Sequence, residues 1–418
     1  MYRLCLMHPM DPCGSKLGGI ETHVRHILRR HPRDFSVLMV GVDESGGRPL
    51  GRTAPLAIGG RQIDFLPVAR IPQARINLAA KSILGSTTFR FALGSLRHLA
   101  AIRRQVAGRF ASADIQRFEF ALIPRLLGLP TVQMVHGEGS RNDRMDSLIK
   151  TYWAVHATNE RIALRLADRI LCVNPSILTR LEREFPAAAP KAEVMSVSVD
   201  ADQFAPQPFD CADGILRIVF AGRLDEFKDP PLMFEVLAAL HARLNGKLEF
   251  HYIGTSEPSR YHEFAAIEAF TTRHGYQPAA GVAAIVARSH AGILTSFFEG
   301  LPCYLLETLS VGRPFAAIAL PQYDPFIVPG LSGTQIRRRA DMAGSRGALV
   351  EAFLTLWGDI RAGRIDPMVV HQRVTPYTLD NQMDRLFDHH RRLQDAMMSA
   401  APRRILPRLS VPLAAKRR

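Results

Sequence analysis

The sequence predicts an α/β protein with two doubly wound domains, each built on a parallel sheet. Two observations support this fold class. Short apolar runs alternate with longer amphipathic stretches through the first half of the chain, and the same alternation restarts after a break rich in Pro, Asp and Ala at residues 204–214. Strands that alternate with helices in this way are typical of parallel sheets covered by helices. A length of 418 residues is sufficient for two separate cores.

The first half of the chain supplies the pattern of one such domain. An apolar strand at residues 3–7 is followed by a glycine-rich loop at 13–19 and an amphipathic helix at 20–30. The other predicted elements are strands at 35–40, 114–117, 131–136, 169–173 and 193–197, a helix at 176–184, and a strongly basic helical stretch at 87–110. Together these elements predict a first domain over residues 1–205.

The second half repeats the pattern with its own first strand. The predicted elements are strands at 216–220, 248–253 and 291–295, and helices at 231–244 and 300–311. In the last of these, Pro302 is expected in the first turn and Gly312 as the left-handed residue after the helix. These elements predict a second domain over residues 206–379. A late amphipathic helix at 380–397 is expected to pack back toward the first domain, and the Pro-broken basic tail at 398–418 is expected to be disordered.

Composition restricts the class of protein. The 53 Lys and Arg residues outnumber the 39 Asp and Glu residues, and the formal net charge of +14 suits a phosphorylated small molecule, an anionic membrane or nucleic acid as partner. The five cysteines form no CxxC pair, which favours a reducing cytoplasm over a disulfide frame or a zinc ribbon. No apolar run has the length of a membrane span or the flanks of a signal peptide. We therefore expect a cytoplasmic location, with peripheral contact at the inner face of the cytoplasmic membrane left open.

Two carboxylates within an apolar stretch indicate a ligand site. The run SFFEGLPCYLLETLSVGRP places Glu299 just before a predicted helix and Glu307 on its second turn, about 12 Å apart along the axis. Ligands of open parallel sheets bind at the carboxyl ends of strands, where helix N-termini attract anions. Carboxylates that accept hydroxyl hydrogen bonds, beside amides that hold an anion, suit a nucleotide diphosphate sugar. The simpler alternative is a partly solvated acidic helix face.

A pair of cations follows the first strand of the second domain. Arg223 and Lys228 lie five residues apart in the loop GRLDEFK. Such a pair suits a diphosphate and would stabilise the negative charge on a departing nucleoside diphosphate. An ordinary charged loop is the alternative interpretation.

Three positions of the first domain complete the predicted site. Gly18 and Gly19 precede the first helix and permit close backbone approach, although the loop has neither the GxGxxG nor the Walker spacing. His136 ends the strand of VQMVHG, at the sheet edge where substrates bind. A plain tight turn and a structural histidine are the corresponding alternatives.

Four motifs in order, GGIETHV, TVQMVHG, FAGRLDEFKDPPLMFEVL and FEGLPCYLLETLSVGRP, resemble retaining glycosyltransferases of family 4 (glycosyl transferases group 1). The resemblance extends over about residues 2–395. It implies the GT-B fold, in which two Rossmann-like domains face a central cleft. It also implies transfer of a sugar from a nucleotide-diphosphate donor to an acceptor hydroxyl, with retention and without a metal or other cofactor. The acceptor that would suit the basic charge is a growing bacterial surface polysaccharide or a lipid-linked glycan.

The resemblance also implies roles for individual residues. Arg223 and Lys228 would hold the donor diphosphate and Glu307 the ribose hydroxyls. Glu299 and the backbone amides beside it would contact the donor sugar, and His136 would lie near that sugar and the reaction centre. The implied catalytic residues are His136, Arg223, Lys228 and Glu299, and the implied donor-binding residues are Gly18, Gly19, Arg223, Lys228, Glu299, Gly300, Leu301 and Glu307. The chain departs from the family in having Gly300-Leu301-Pro302 where Gly-Phe-Gly is usual.

Other interpretations remain open at the level of sequence. The same fold could host a nucleotide-sugar epimerase or a non-catalytic nucleotide-sugar-binding protein. A nucleic-acid-binding protein would suit the net charge, but no recognition module or aromatic stacking platform accompanies the arginines, and we expect no nucleic acid partner. The basic stretch at 87–110 fits either a membrane-surface helix or a buried helix with a solvated basic edge.

No metal site is expected. Asp200-Ala-Asp202 matches a DxD pattern, but it begins the predicted connection between the domains. His389 and His390 are adjacent on a predicted helix, so their side chains point about 100° apart and make a poor metal site.

Overall fold

The computed structural model describes residues 1–16, 18–78, 82–137 and 152–400. Two sheets occupy this part of the chain, one in each half. The basic tail after residue 400, and the last two residues of VQMVHGEG, lie outside the described residues. Among the described residues, no helix combines the length and the apolar character needed to cross a bilayer.

The first sheet has eight strands in the order β3-β4-β2-β1-β5-β6-β7-β8, all parallel except for the β3–β4 hairpin. The strands are β1 (Tyr2–Met7), β2 (Phe35–Asp43), β3 (Ala54–Ile58), β4 (Arg61–Arg70), β5 (Ala111–Ile115), β6 (Thr131–Val135), β7 (Arg169–Cys172) and β8 (Ala192–Val194). The helices are α1 (Gly19–Arg30), α2 (Gln73–Ile76), α3 (Thr87–Arg97), α4 (Leu99–Val106), α5 (Leu122–Leu127), α6 (Trp153–Leu166) and α7 (Pro175–Glu184).

The second sheet has six strands in the order β11-β10-β9-β12-β13-β14, and every neighbouring pair is parallel. The strands are β9 (Leu216–Ala221), β10 (Leu248–Ile253), β11 (Thr271–Arg273), β12 (Ala291–Leu294), β13 (Phe315–Ile318) and β14 (Gly333–Ile336). The helices are α8 (Pro230–Arg243), α9 (Ala279–Ala287), α10 (Cys303–Ser310), α11 (Met342–Arg361), α12 (Pro367–Gln372) and α13 (Leu379–Ala400). The α/β fold with two Rossmann-like parallel sheets is the predicted class, which the structure confirms.

The strand order creates one switch point in each sheet. The chain leaves β9 toward β10 and β11 on one side and later returns to place β12 on the other side. In the first sheet, β1 lies between β2 and β5 in the same way. A crevice forms between the loops that follow the two strands at such a point, and open α/β sheets bind their ligands there. The loops after β1, β5, β9 and β12 therefore define where a site is expected.

Buried side chains cover both faces of the first sheet. On one face, Leu4 and Leu6 pack with residues of α1 and α7, in a cluster that continues into the core around the second sheet. On the other face, Cys5 and Met7 pack with residues of α3, α4 and α5. This division follows from the alternation of side chains along a strand.

The final helix α13 lies against the first sheet. The sequence predicts that the segment 380–397 packs back toward the first domain, which contains this sheet. The Arg3 amide donates to Gln394 Oε1 at 3.0 Å, and the Tyr2 hydroxyl donates to Asp395 at 3.0 Å. The second domain, predicted at 206–379, contains all of β9–β14, and its boundary with 1–205 falls in the segment between β8 and β9.

Several elements differ from the sequence prediction. Strand β5 is Ala111–Ile115 rather than 114–117, because its pairing with β1 begins at Ala111. The predicted helix at 300–311 begins only at Cys303, with Pro302 as its N-cap residue, so Pro302 precedes the first turn. Gly312 has φ of 84° after that helix, as predicted.

Other elements have no counterpart in the prediction. The strands β3, β4, β13 and β14 and the helix α11 form in segments that the periodicity analysis left unassigned. The β3–β4 hairpin turns at Gly59-Gly60, both with positive φ, which is a local turn signal that the sequence contains.

Candidate functional site

A cleft between the two sheets is lined by Glu299 and Gly300 of the predicted site. A cavity of about 340 Å³ lies where loops of both halves meet. From the first half it is lined by Gly137, Asn174 and Ser176, and from the second half by Phe227, Phe298, Glu299, Gly300, Leu320, Pro321 and Gln322. These loops follow the carboxyl ends of β6, β7, β9, β12 and β13, where ligands of parallel sheets bind.

Lys228 and Glu299 form an ion pair at the switch point of the second sheet. Lys228 Nζ lies 2.7 Å from Glu299 Oε1, and the two side chains are only 14% and 9% exposed. The Ser296 hydroxyl donates to the same carboxylate oxygen at 2.8 Å. Breaking a buried ion pair leaves an uncompensated charge, so each partner holds the other in the cleft. Within the described residues, Glu299 Oε2 has no hydrogen-bond partner and is available to a ligand hydroxyl.

The loops that carry this pair are joined by backbone and side-chain hydrogen bonds. The Phe297 amide donates to the Phe227 carbonyl at 2.8 Å, and the Thr295 hydroxyl donates to the Lys228 carbonyl at 2.7 Å. Arg338 bridges the same two loops, since it donates to Asp229 at 2.6 Å and to the Thr295 carbonyl at 2.5 Å. The position of Lys228 relative to Glu299 is therefore fixed by several bonds.

Arg223 pairs with an acidic residue of its own loop. Its guanidinium is 61% exposed and contacts Asp225 at 2.9 Å. An exposed ion pair of this kind contributes at most about 1 kcal/mol, so the side chain can exchange Asp225 for a phosphate at small cost. Each of the two predicted cations thus has an acidic partner of its own, Asp225 for Arg223 and Glu299 for Lys228.

Glu307 is a half-buried carboxylate that has no charge partner among the described residues. It lies on α10 behind Cys303, and no described residue donates a hydrogen bond to its side chain or pairs with it. Burial raises the pKa of Glu307 from 4.5 to about 7. Its neighbour Cys303 has a thiol pKa raised to about 12, first by burial and then by the negative charge of Glu307. A carboxylate held in this way is ready to accept hydrogen bonds from ligand hydroxyls.

The N-termini of α1 and α10 meet in the cleft. The Cys303 thiol, in the first turn of α10, lies 3.8 Å from the carbonyl of Gly19, in the first turn of α1. Each helix N-terminus carries a partial positive charge and free backbone amides. Lys228 and two helix N-termini therefore make this part of the cleft attractive to an anion.

Gly300 allows the two halves to approach each other. A Cβ at this position would lie 2.0 Å from the carbonyl oxygen of His136, which no neighbouring backbone can accommodate. The Asn174 side chain donates to the Gly300 carbonyl at 2.7 Å and fixes the contact. Leu301 is buried in the apolar core beside this contact.

His136 ends β6 and is oriented by a buried chain of polar side chains. Its Nε2 lies 2.5 Å from Gln116 Oε1. The amide nitrogen of Gln116 donates to Asp114, whose other oxygen contacts His390 on α13 at 3.2 Å. Since the Gln116 amide nitrogen faces a carboxylate, its oxygen faces His136, and Nε2 of His136 must carry the proton.

This orientation determines what His136 can do. Burial, followed by the nearby His23 and His8, lowers the pKa of His136 well below its usual value. The ring is therefore neutral near pH 7, and with the proton on Nε2 its Nδ1 is an acceptor. A neutral imidazole acceptor can receive a hydrogen bond from a ligand hydroxyl.

An ion cluster that sequence analysis missed joins the loop before α1 to the helix itself. Glu21 Oε1 lies 3.0 Å from both Lys16 Nζ and His8 Nε2, and all three residues are buried. Burial by itself raises the pKa of Glu21, but the hydrogen bond from His8 and the charges around it outweigh that effect and lower the pKa. Burial lowers the pKa of Lys16.

Glu21 also explains the glycine at position 18. Gly18 has φ of 151°, and a Cβ there would lie 2.3 Å from a Glu21 carboxylate oxygen. Gly18 therefore lies close to Glu21, and Gly19 lies close to Cys303 of the other half.

Contacts among the described residues link four of the nine predicted site residues. Lys228, Glu299, Gly300 and His136 are linked through direct contacts or through the Gly300 approach. The supporting residues that sequence analysis missed are His8, Lys16, Glu21, Gln116, Asn174, Gln322 and Arg338. Lys16 and Glu21 lie beside or inside the motif GGIETHV and their charges gave a local signal, whereas the other five residues lie outside the four motifs.

Metal ligands are not clustered in the described residues. No group of three or more His, Cys, Asp or Glu side chains there has the spacing of a metal site. Asp200 and Asp202, the residues of the DxD pattern, both lie within 4 Å of Arg30.

Comparison with known sequences places a known domain in the second half. Residues 216–359 match the sequence model of the family Glycosyl transferases group 1. This segment contains β9–β14, the Lys228–Glu299 pair and Glu307. Comparison with curated protein sequences finds no match.

Comparison of coordinates identifies the fold of the whole chain. Sucrose-phosphate synthase from Thermosynechococcus elongatus aligns over 95% of this chain and 100% of its own, with a TM-score of 0.74 and 15% identity. The lipopolysaccharide outer core galactosyltransferase WaaB aligns over 93% and 99%, with a TM-score of 0.59 and 16% identity. HepE of Anabaena in complex with UDP aligns over 93% and 99%, with a TM-score of 0.64 and 14% identity. The chain has the GT-B fold.

Proposed function

We propose that the protein is a glycosyltransferase that moves a sugar from a nucleoside diphosphate donor to an acceptor hydroxyl. The observation that carries this proposal is the buried Lys228–Glu299 pair in the cleft, at the β9–β12 switch point and beside two helix N-termini. A cation and free amides suit a diphosphate, and flanking carboxylates suit the hydroxyls of a sugar and a ribose. The match of residues 216–359 to glycosyl transferases group 1 supports the same function.

In this proposal the donor binds in the cleft, and each nearby residue has a specific contact with it. Lys228 has three N–H donors, so it can keep Glu299 and still bind a phosphate oxygen. Arg223 lies in the same loop and exchanges Asp225 for the diphosphate. Glu307, one turn into α10, accepts the ribose hydroxyls, and Glu299 Oε2 and the Gly300 and Leu301 amides contact the donor sugar. The UDP complex of HepE supports a uridine diphosphate sugar as the first donor to test.

The reaction we propose is a metal-independent transfer with retention. The bond between the anomeric carbon and the β-phosphate oxygen breaks, and the acceptor oxygen bonds to that carbon on the same face. The acceptor proton passes to the departing phosphate. Lys228 and Arg223 stabilise the charge that develops on the diphosphate, and Nδ1 of neutral His136 orients a hydroxyl at the reaction centre. No residue is assigned as a nucleophile.

The acceptor we propose is a bacterial surface polysaccharide or a lipid-linked glycan, at the inner face of the cytoplasmic membrane. The net charge of +14 supports an anionic environment, and WaaB, a lipopolysaccharide galactosyltransferase that shares the fold, is the precedent for such an acceptor. No described feature favours an epimerase or a non-catalytic binding protein, and those functions would be recognised by a free sugar nucleotide product or by no turnover.

The test combines donor binding with a matched pair of variants. Thermal unfolding with UDP-, GDP- and ADP-glucose should give a higher melting temperature with at least one of them, because a ligand that binds only the folded state stabilises it. Lys228→Ala should remove that shift and the release of nucleoside diphosphate. Lys247→Ala, an exposed lysine of the same half, is the control and should behave as the wild type. Turnover should survive EDTA. Normal release of nucleoside diphosphate by Lys228→Ala would refute the assignment.

A further inference from the structure

Four helices of the first half form a single layer over one face of its sheet. Phe91 of α3, Ile102 of α4, Ile123 of α5 and Ala163 of α6 are all buried in the same apolar cluster against that face. The Arg103 guanidinium of α4 donates to the Leu126 carbonyl of α5 at 2.8 Å, which joins neighbouring helices of the layer. The opposite sides of these helices therefore point away from the sheet.

This outward side carries exposed leucines. Leu93 and Leu96 of α3 are 57% and 48% exposed, and Leu122 and Leu126 of α5 are 55% and 49% exposed. Each pair has the three- or four-residue spacing that places two side chains on the same side of a helix. Single exposed leucines are common on protein surfaces, but a cluster of large apolar side chains marks an interaction surface.

Positive charge accompanies the leucines. Residues 87–110 contain five arginines and no acidic residue, and the segment 121–131 contains one arginine and no acidic residue. Arg97 and Arg104 are exposed and have no carboxylate partner among the described residues. Other exposed arginines, such as Arg33 and Arg52, also have no described carboxylate partner, so the charge distinguishes this layer only together with the leucines. The unpaired charge of this layer is therefore available to an anionic partner.

We propose that Leu93, Leu96, Leu122 and Leu126, with Arg97 and Arg104, form a docking surface for an anionic lipid bilayer. Apolar side chains that enter the headgroup region, surrounded by arginines that contact lipid phosphates, are the composition of an interfacial membrane surface. A second copy of the chain would bring two uncompensated positive surfaces together, which like charges oppose. Nucleic acid would use the arginines but would leave the leucines in water.

The proposal rests on the membrane location given in the proposed function and names the surface that would make the contact, but it does not depend on the donor cleft. It assigns a separate surface, made by the helices of the first half, while the donor cleft is lined largely by loops of the second half. For the basic stretch at 87–110 it favours a membrane-surface helix over a buried helix with a solvated basic edge. The helices α3 and α4 have a buried apolar side, and on α3 the exposed Arg97 is accompanied by the exposed Leu93 and Leu96.

The test is sedimentation of the full-length protein with lipid vesicles. Vesicles of equal parts phosphatidylcholine and phosphatidylglycerol should bind the protein, and pure phosphatidylcholine vesicles should bind it much less. Each arginine at an anionic surface strengthens partitioning by about fivefold, so Arg97→Glu with Arg104→Glu should weaken it by at least about tenfold. Leu93→Ser with Leu122→Ser should weaken it by about fivefold or more. Arg288→Glu and Leu331→Ser, exposed residues of the second half, should leave it unchanged.

Three results would overturn the proposal. Equal binding to both kinds of vesicle, or unchanged binding by both double variants, would remove the role of this surface. Binding that is lost on deletion of residues 401–418 and insensitive to the surface variants would assign it to the tail. A dimer in solution that Leu93→Ser with Leu122→Ser dissociates would assign the surface to a second copy. All substitutions lie on exposed residues, and equal melting temperatures would show that each variant is folded.

Discussion

Replacing Glu307 by Gln tests whether this residue is kept for a ligand at the expense of stability. Glu307 is half-buried and has no cation or hydrogen-bond donor beside it in the described structure. Burial raises the pKa of its carboxyl from 4.5 to about 7. Gln has nearly the same shape and no charge, so the substitution removes the electrostatic penalty and keeps the packing.

The size of the effect follows from the pKa values. The shift from 4.5 to about 7 corresponds to about 3 kcal/mol at most. The folded pKa of this acid is raised, so folding favours its protonated form. The penalty is absent below pH 4.5, grows between pH 4.5 and 7, and is fully present above pH 7. Glu307→Gln should therefore stabilise the protein at pH 8, and water near the half-buried carboxyl reduces the expected gain to about 1–2 kcal/mol.

The assay is thermal unfolding of both proteins at pH 5 and pH 8. A gain of about 1–2 kcal/mol raises the melting temperature of a domain of this size by roughly 2–8 °C, and the gain should be larger at pH 8 than at pH 5. In parallel, Glu307→Gln should lose most of the melting-temperature shift with UDP-glucose, since a neutral amide accepts ribose hydroxyls less strongly. Glu226→Gln, an exposed acid of the same half, is the control. A Glu307→Gln variant that is less stable at pH 8, or equally stable at both pH values, would refute the reasoning.

Three further predictions test the contacts around the cleft. Gly300→Ala should lower the release of nucleoside diphosphate at least tenfold, because its Cβ would lie 2.0 Å from the His136 carbonyl oxygen. The circular dichroism spectrum should change little. Unaltered turnover would show that the two halves need not meet at this position. Gln116→Leu should shift His136 from the Nε2-protonated form to a mixture of tautomers, measured by ¹⁵N chemical shifts of labelled histidine in the variant and the wild type; an unchanged tautomer would contradict the orientation derived above. Gly18→Ala should lower the melting temperature, because φ of 151° and a Cβ 2.3 Å from Glu21 are both unfavourable, and equal stability would contradict it.

The periodicity of the chain was sufficient for the fold class and for the strands that carry the site. β1, β6, β9, β10 and β12 lie close to the predicted positions, because each is a short apolar run followed by a loop with Gly or a charged residue. The edge strands β3 and β14 were missed. They are short and partly exposed, so their residues lack the apolar pattern that marks a buried strand.

The same distinction applies to the site. Arg223, Lys228, Glu299 and Glu307 are visible in the sequence, since charged residues beside apolar runs stand out and their order along the chain resembles a known family. Their pairing is not visible. Lys228 contacts Glu299 across 71 residues of sequence, whereas Arg223 pairs with Asp225 in its own loop. Gln116 and Arg338 act on the site through neighbours that only the folded chain provides.

The sequence by itself determined that two parallel α/β halves exist and which of their loops carry cations and acids, because local periodicity and turn chemistry are encoded residue by residue. Tertiary structure decided which charges meet, which carboxylate stays unpaired, which tautomer His136 adopts and which leucines remain in water. Those properties depend on distance and burial between segments far apart in the chain. Coulomb energies and desolvation change steeply with both quantities, and a sequence pattern contains neither.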